Sequence, residues 1–188
     1  MGTEAPPVRL YLVRHGRASA SFAEAHDPEL DEEGHRQAQA VAQELRALGP
    51  LPVVTSPLKR ARATARPFET QWQVEAHVDA RVAEIPAPSD NLQERAVWLH
   101  QVLQGRWSEL PEFYQSWRKV LTDYLRSFSR SSIITTHFVA INVAVGAATA
   151  DDRMVCFEPD YCSCTVLAVV KGTLQVVSLG RQRETLIR

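Results

Sequence analysis

Hydrophobic and polar positions alternate in blocks along the chain, in a pattern that predicts strands and helices in turn. Residues 8–13 are a nearly continuous apolar run of β-forming side chains, as expected for a strand buried on both faces of a parallel sheet. From Asp31, which can act as an N-cap, apolar residues recur at helical spacing until Gly49-Pro50. The predicted buried face of this amphipathic helix consists of Ala38, Val41, Ala42, Leu45 and Leu48.

The same alternation continues after this helix. Residues 53–55 predict a short second strand, and Ser56-Pro57 then supplies an N-cap and a first-turn proline for a helix that runs to about Glu69. Further along, residues 132–136 predict another central strand. Residues 138–148 are apolar all round, which is typical of a buried helix.

The C-terminal part of the chain predicts a β-hairpin. Residues 164–170 and 173–179 flank Lys171-Gly172, a dipeptide with hairpin-turn chemistry. The order of elements therefore predicts an α/β fold: a three-layer α/β/α domain with a mostly parallel central sheet and a hairpin near its edge.

A helical insertion is predicted at about residues 85–130. Pro86 and Pro88 exclude regular structure between residues 83 and 91, and aromatic residues follow at helix-like spacing. The aromatic side chains expected to form the core of this insertion are Trp98, Trp107, Phe113, Tyr114 and Trp117. With this insertion, residues 1–188 are predicted to form one domain.

Composition narrows the classes of partner. The chain has 188 residues, 45% of them hydrophobic, and a net charge of -1, so bulk charge predicts neither nucleic-acid nor membrane binding. No apolar run is long enough to span a bilayer, and the N-terminus lacks the features of a secretory signal.

The cysteines indicate a reducing compartment. Cys156, Cys162 and Cys164 are an odd number of closely spaced residues, which fits neither a set of disulfides nor the paired spacing of a zinc site. We therefore expect a cytoplasmic location.

Two histidines directly follow predicted strands: His15 follows the first, and His137 follows residues 132–136. Either alone would more often be structural, but ligands of open α/β sheets bind outside the carboxyl ends of strands, so both rings should face one crevice. Arg14 adjoins His15, and Arg60 lies near the start of the helix after the second strand. Because arginine binds phosphate through paired N–H groups and helix starts add backbone donors, the pattern predicts a phosphate clamp.

Four motifs, taken in order, resemble the signature of the histidine phosphatase superfamily, also called the phosphoglycerate mutase-like family. A lone Arg-His-Gly triplet would be common by chance, whereas the ordered set is specific and covers nearly the whole chain. The motifs are Leu12-Val13-Arg14-His15-Gly16, Leu30-Asp31-Glu32-Glu33-Gly34-His35-Arg36-Gln37-Ala38, Thr55-Ser56-Pro57-Leu58-Lys59-Arg60-Ala61 and Thr136-His137.

This resemblance implies a role for each site residue. His15 would be the nucleophile, Arg14 and Arg60 would bind the phosphoryl oxygens, and His137 would be a second phosphate-binding ring. Glu84 matches the family's acid position, where it would protonate the leaving group and later activate water. Because the arginines supply the charge that stabilises the transferred phosphoryl group, neither a metal nor a cofactor is expected.

Three departures from the family pattern bear on the activity. Residues 17–21 and 85–88 lack the continuations typical of the mutase branch, which weighs against phosphoglycerate mutase activity. Phe138 stands after His137 where the family usually has glycine, so the geometry of any phosphate-binding amide in that turn is open. Arg17, Ser19, Ser21 and Phe22 are candidate substrate contacts in the loop after His15.

The sequence favours a metal-independent phosphatase that hydrolyses phosphomonoesters through a phosphohistidine on His15. Its expected partner is a phosphorylated small molecule or a phosphoprotein, and neither nucleic acid nor membrane is expected. A protein phosphohistidine phosphatase and a non-catalytic phosphate-binding module on the same fold remain alternatives. A lid formed by residues 92–130 would favour small substrates, and an open pocket would favour proteins.

Overall fold

The computed structural model describes residues 6–183 and contains a six-stranded sheet in the order β3-β2-β4-β1-β5-β6. Its four strands β3, β2, β4 and β1 pair in parallel, and β5 pairs antiparallel with both β1 and β6. The mostly parallel sheet is thereby confirmed. The strands are β1 (Val8–Arg14), β2 (Val53–Thr55), β3 (His77–Val78), β4 (Ser132–Thr136), β5 (Cys164–Val170) and β6 (Thr173–Ser178).

Helices cover both faces of this sheet. They are α1 (Glu32–Glu44), α2 (Lys59–Trp72), α3 (Leu92–Val102), α4 (Glu112–Arg126) and α5 (Phe138–Thr149). The alternation of side chains along β1 separates two cores: Leu10 and Leu12 pack with the helices α3, α4 and α5, and Tyr11 and Val13 pack with α1 and α2. This arrangement confirms the three-layer α/β/α fold.

The starts of the first two helices differ from each other in how they are capped. Asp31 caps α1 as predicted, since its Oδ1 accepts a hydrogen bond from the backbone N–H of Gly34 at 2.7 Å. The prediction that Ser56 caps α2 is wrong: the helix begins at Lys59, with Leu58 at the N-cap position and no side-chain cap. The hydroxyl of Ser56 instead accepts from the N–H of Leu58 and contacts His137.

Two predicted core positions differ from the expectation, and the structure adds one short strand. Leu48 is exposed, because α1 ends at Glu44 and its helical spacing does not continue through the following turn. Phe113 is 62% exposed although Tyr114 beside it is buried, since neighbouring residues of a helix point in different directions. The edge strand β3 has only two residues, too few for a periodic signal.

The predicted hairpin is present, with β5 and β6 joined by Lys171-Gly172 at the edge of the sheet. Both turn residues have positive φ angles, 50° and 75°, a backbone conformation that suits glycine and matches the twist of the paired strands. Within residues 6–183, none of the helices has the length and apolar character needed to cross a membrane.

Candidate active site

The carboxyl ends of the central strands β1 and β4 bring the two histidines together. Arg14 and Thr136 are register partners, and the backbone N–H of His15 donates to the carbonyl oxygen of Thr136 at 2.9 Å. The ring centroids of His15 and His137 consequently lie 5.2 Å apart. The two rings share one end of the sheet, as their positions after parallel strands predict.

Two contacts define which nitrogen of His15 carries a proton. Nδ1 lies 2.8 Å from the carbonyl oxygen of Gly16, which can only accept a hydrogen bond. Nε2 lies 3.2 Å from Nε of Arg60, which can only donate one. The geometry therefore fits neutral imidazole with its proton on Nδ1 and its lone pair on Nε2.

Burial and charge favour the same neutral form. His15 is buried, and burial is the largest cause that lowers its pKa well below the ordinary value. The guanidinium groups of Arg60 and Arg14 lower that pKa further, while the bond to Gly16 opposes them. His15 thus keeps a free lone pair at neutral pH, which nucleophilic attack requires.

The second motif holds the loop after His15 against the start of α1. Arg17 N–H donates to Oε1 of Gln37 at 2.9 Å, and Nε of Arg17 donates to Oδ2 of Asp31 at 2.6 Å. A Cβ at Gly34 would overlap the carbonyl oxygen of Arg17, so only glycine permits this approach. The motif around Asp31 is therefore a structural support for the loop after His15.

Ser56 positions the ring of His137. Its Oγ lies 2.7 Å from Nε2 of His137, and it also accepts from the backbone N–H of Leu58 at 3.2 Å. Both side chains are fully buried. Nδ1 of His137 has no hydrogen-bond partner among the described residues, although buried polar atoms are normally paired. A hydroxyl that donates to Nε2 would leave Nδ1–H free for an anion.

Arg14 is held by groups from distant parts of the chain. Its Nη1 donates to the carbonyl oxygen of Pro159 at 2.8 Å, and its Cζ lies 4.2 Å from the ring centroid of Tyr161 and 5.2 Å from that of Phe138. Its Nε is buried and has no partner among the described residues. A buried guanidinium with a free N–H is suited to binding an oxyanion.

Glu84 lies beside the start of α5. Its Oε1 accepts from the N–H of Ile85 at 3.0 Å, and its Oε2 accepts from the N–H of Val139 at 3.3 Å. Loss of water around the carboxyl group raises the pKa of Glu84, an effect that these two N–H groups, Arg60 and Arg14 partly offset. A raised pKa suits a carboxyl group that must donate a proton.

One cavity of about 300 Å³ connects most of the predicted site. Arg14, His15, Arg60 and Glu84 line it, whereas His137 is fully buried against His15 and is not part of the wall. Of the candidate substrate contacts, Ser21 and Phe22 line the cavity. Arg17 and Ser19 do not, because Arg17 turns toward Asp31.

The sequence pattern did not identify every residue of the cavity wall. Tyr161 and Arg183 contribute to it, with Cζ of Arg183 lying 5.2 Å from the Tyr161 ring centroid. Both lie in irregular segments that flank the C-terminal hairpin, where no motif or periodicity marks them. Within residues 6–183, no group of three or more His, Cys, Asp or Glu side chains is arranged to hold a metal ion.

The family model described as the histidine phosphatase superfamily (branch 1) matches residues 10–182. The chain belongs to this superfamily. It is 34% identical over 110 residues to a 5''-phosphoribostamycin phosphatase of Niallia circulans, covering 53% of this chain and 48% of that one. It is 35% identical over 109 residues to a protein of Cronobacter sakazakii named "Probable phosphoglycerate mutase GpmB", covering 52% and 51%. These matches thus span about half of each curated relative.

Solved structures support the histidine phosphatase fold over a longer stretch. The structure titled "Bacillus stearothermophilus YhfR" superposes with a TM-score of 0.74 and 20% sequence identity, covering 91% of this chain and 96% of the other. This histidine phosphatase chain departs from the usual motif at Phe138, which lines the cavity while the N–H of Val139 binds Glu84. The turn after His137 therefore donates a backbone hydrogen bond to the carboxyl group of Glu84.

Proposed function

We propose that this protein is a metal-independent phosphatase that hydrolyses phosphomonoesters through a phosphohistidine on His15. The observation that carries the proposal is the state of His15: a neutral ring whose Nε2 lone pair faces Arg60 beside the cavity. On this proposal, phosphate oxygens take over the Arg60 donor when substrate binds. Nε2 is then free to attack phosphorus.

The first step forms a P–N bond and breaks the P–O bond to the alcohol. As the phosphoryl group moves, Arg14 and Arg60 on the cavity wall hold its oxygens. Entry of phosphate must shift the ring of His15 for the buried Nδ1–H of His137 to join them. Glu84, with its raised pKa, gives its proton to the departing oxygen. The products of this step are the alcohol and phosphohistidine.

The second step reverses the proton's path. Glu84, now ionised, takes a proton from water, and the water oxygen attacks phosphorus as the P–N bond breaks. Inorganic phosphate leaves, and His15 and Glu84 return to their starting states. Arginines supply the positive charge throughout, so the proposed cycle needs no metal ion or cofactor.

The size and the lining of the cavity support a small-molecule substrate. Leu99 and Leu103, at the end of α3, form part of the wall that also contains His15. A cavity of about 300 Å³ with the end of a helix on its wall restricts access for a folded protein, which weighs against the alternative of a protein phosphohistidine phosphatase. Phosphatase activity is also the named activity of the Niallia circulans relative, whereas the Cronobacter sakazakii relative carries a mutase name.

A panel assay tests this function. Phosphate release is measured from p-nitrophenyl phosphate, small phosphomonoesters and phosphohistidine peptides, with and without EDTA, using His15→Asn as the control. The proposal expects EDTA-resistant turnover of the small esters by the wild-type chain alone. Turnover restricted to the peptides would favour the protein phosphatase, and phosphate binding without turnover would favour a non-catalytic module. Activity lost in EDTA and restored by a divalent ion would contradict metal independence.

A further inference from the structure

Resting on this proposed function, we infer that the cavity beside His15 binds the alcohol part of the substrate as a small, uncharged apolar group. The phosphate-binding residues and an apolar surface line one continuous cavity. An ester bound to Arg14 and Arg60 must therefore place its alcohol against that surface. The protein would then prefer phosphate esters of alkyl or aryl alcohols over those of charged metabolites.

The apolar wall comes from three separate elements. The loop after β1 contributes Ala18, Ala20, Phe22 and Ala25, the end of α3 contributes Leu99 and Leu103, and the start of α5 contributes Phe138 and Val139. Leu99, Leu103 and Phe138 are only partly buried, so their free surface faces an open space. Filling this space with hydrocarbon removes apolar area from water, which favours binding.

The charged side chains on the same wall either belong to the phosphate site or are exposed to solvent. Glu84 accepts backbone N–H groups beside Arg14 and Arg60, and Arg183 stacks on Tyr161, which also stacks on Arg14. The ring of His26 is bound through Nδ1 to Nη1 of Arg95 at 2.8 Å. The wall contributed by α3 and the start of α5 carries no charged side chain, so a charged alcohol part would find a partner only in the exposed Arg183 or His26.

Arg95 joins two of the elements that form the wall. Its Cζ lies 4.4 Å from the ring centroid of Phe22 while its Nη1 contacts His26, so α3 is tied to the loop after β1. This link joins the element that carries Leu99 to the loop that carries Phe22, and both side chains line the cavity. A volume of about 300 Å³ lies at the small end of ligand pockets, which suits one short chain or ring.

A series of n-alkyl phosphates tests this subsite. Ethyl, butyl and hexyl phosphate have leaving alcohols of nearly equal acidity, so changes in kcat/KM report contacts with the chain. We expect kcat/KM to rise about fourfold for each buried methylene group until the cavity is filled. Phosphoserine and 3-phosphoglycerate, whose alcohol parts are charged, should be poorer substrates than hexyl phosphate.

Matched variants locate the effect. Leu99→Asn, on the wall, should flatten the dependence on chain length, while Val97→Asn, two residues away and 59% exposed, should preserve it. Turnover of ethyl phosphate, together with thermal unfolding, reports whether each variant is folded. If Leu99→Asn does not fold, Phe22→Ala provides the same test from another element of the wall.

The outcomes separate this inference from the function on which it rests. If neither p-nitrophenyl phosphate nor any alkyl phosphate is hydrolysed, the proposed phosphatase function fails. If they are hydrolysed but kcat/KM does not depend on chain length, or phosphoserine is preferred over hexyl phosphate, the apolar subsite is refuted while the function stands. Equal flattening by Leu99→Asn and Val97→Asn would also refute it.

Discussion

The hydroxyl oxygen of Ser56 lies 2.7 Å from Nε2 of His137, a residue 81 positions further along the chain. Because the same hydroxyl also accepts from the N–H of Leu58, its own hydrogen is free to point at the ring. A hydroxyl that donates to Nε2 leaves the proton of neutral His137 on Nδ1, the atom that lacks a partner among the described residues. On the proposed function, Ser56 is a positioning residue that prepares His137 to donate to phosphate.

Replacing this hydroxyl should therefore weaken anion binding. Ser56→Ala leaves the His137 ring free to change tautomer, and we expect the Kd for phosphate or vanadate to rise about 2- to 10-fold, the effect of one lost hydrogen bond. Nitrogen chemical shifts of His137 should move in the same variant, which a merely structural role would not cause. Ser132→Ala removes a buried hydroxyl at the far end of β4 and is the control. Unchanged shifts and affinity in Ser56→Ala would contradict the assignment.

Arg60 should strengthen the binding of phosphate and also lower the pKa of His15. Arg60→Ala removes a charged donor beside His15, and we expect phosphate affinity measured by calorimetry to fall about 10- to 100-fold. Arg60→Lys should recover only part of this loss, because lysine lacks the planar pair of donors. Arg62→Ala, on the exposed side of the same helix, should have no such effect.

We also expect Arg60→Ala to shift the pH dependence of activity. Arg60 lowers the pKa of His15, so its removal raises that pKa and more of the ring is protonated at a given pH. Since only the neutral ring attacks, the acid limb of kcat/KM for Arg60→Ala should move to higher pH. If the acid limb does not move, or if Arg60→Ala and Arg62→Ala lose phosphate affinity equally, Arg60 does not have the proposed role in the site.

Glu84 should matter most for poor leaving groups. Glu84→Gln cannot protonate a departing alkoxide, so we expect a loss of roughly 10²- to 10⁴-fold on an alkyl phosphate. On p-nitrophenyl phosphate the first step needs less help, so the loss should be smaller, with a burst of nitrophenol as phosphohistidine accumulates. Glu112→Gln, an exposed carboxylate on α4, is the matched control.

The pH dependence of the wild-type chain checks the same role. The pKa of Glu84 is raised, so its acid form persists above the range of an ordinary carboxyl group, and kcat/KM for an alkyl phosphate should fall as pH rises through that pKa. If Glu84→Gln lowers the rate only a few-fold, and equally for alkyl phosphate and p-nitrophenyl phosphate, Glu84 is not the proton donor. Another carboxylate or water would then carry the proton.

Gly34 should be required for stability more than for chemistry. Gly34→Ala forces a Cβ against the backbone of Arg17, and we expect the free energy of unfolding in urea to drop by about 1–3 kcal/mol. Gly105→Ala is the matched control, because the nearest atom to its added Cβ is the movable carboxylate end of Glu109 at 3.2 Å. Equal stability of the two variants would show that the loop after His15 can adjust without cost.

The periodicity of apolar residues, together with helix-capping and turn residues, was sufficient to predict most of the fold. The apolar run of β1, the Asp31 cap and the Lys171-Gly172 turn are local features, and each is present as predicted. Local rules failed at Ser56, where a hydroxyl suited to a helix cap binds His137 instead. A local pattern carries no information about a partner on another strand.

For the same reason, only part of the candidate site could be predicted from the sequence. The clustering of Arg14, His15 and Arg60 follows from their positions at the ends of strands and the start of a helix. Tyr161 and Arg183 reach the cavity from irregular segments, where neither spacing nor capping chemistry identifies them. The burial of His137 behind His15, away from the cavity wall, also depends on tertiary packing alone.

The most direct test of the account is to trap the intermediate on His15. Wild-type protein and Glu84→Gln are mixed with p-nitrophenyl phosphate, quenched in alkali within the burst, digested and mapped by mass spectrometry. The account predicts one phosphoryl group on His15 that is stable in alkali and lost in acid, with a larger amount in Glu84→Gln and none in His15→Asn. Turnover with no phosphorylated His15 at any quench time, or a phosphoryl group on another residue, would contradict it.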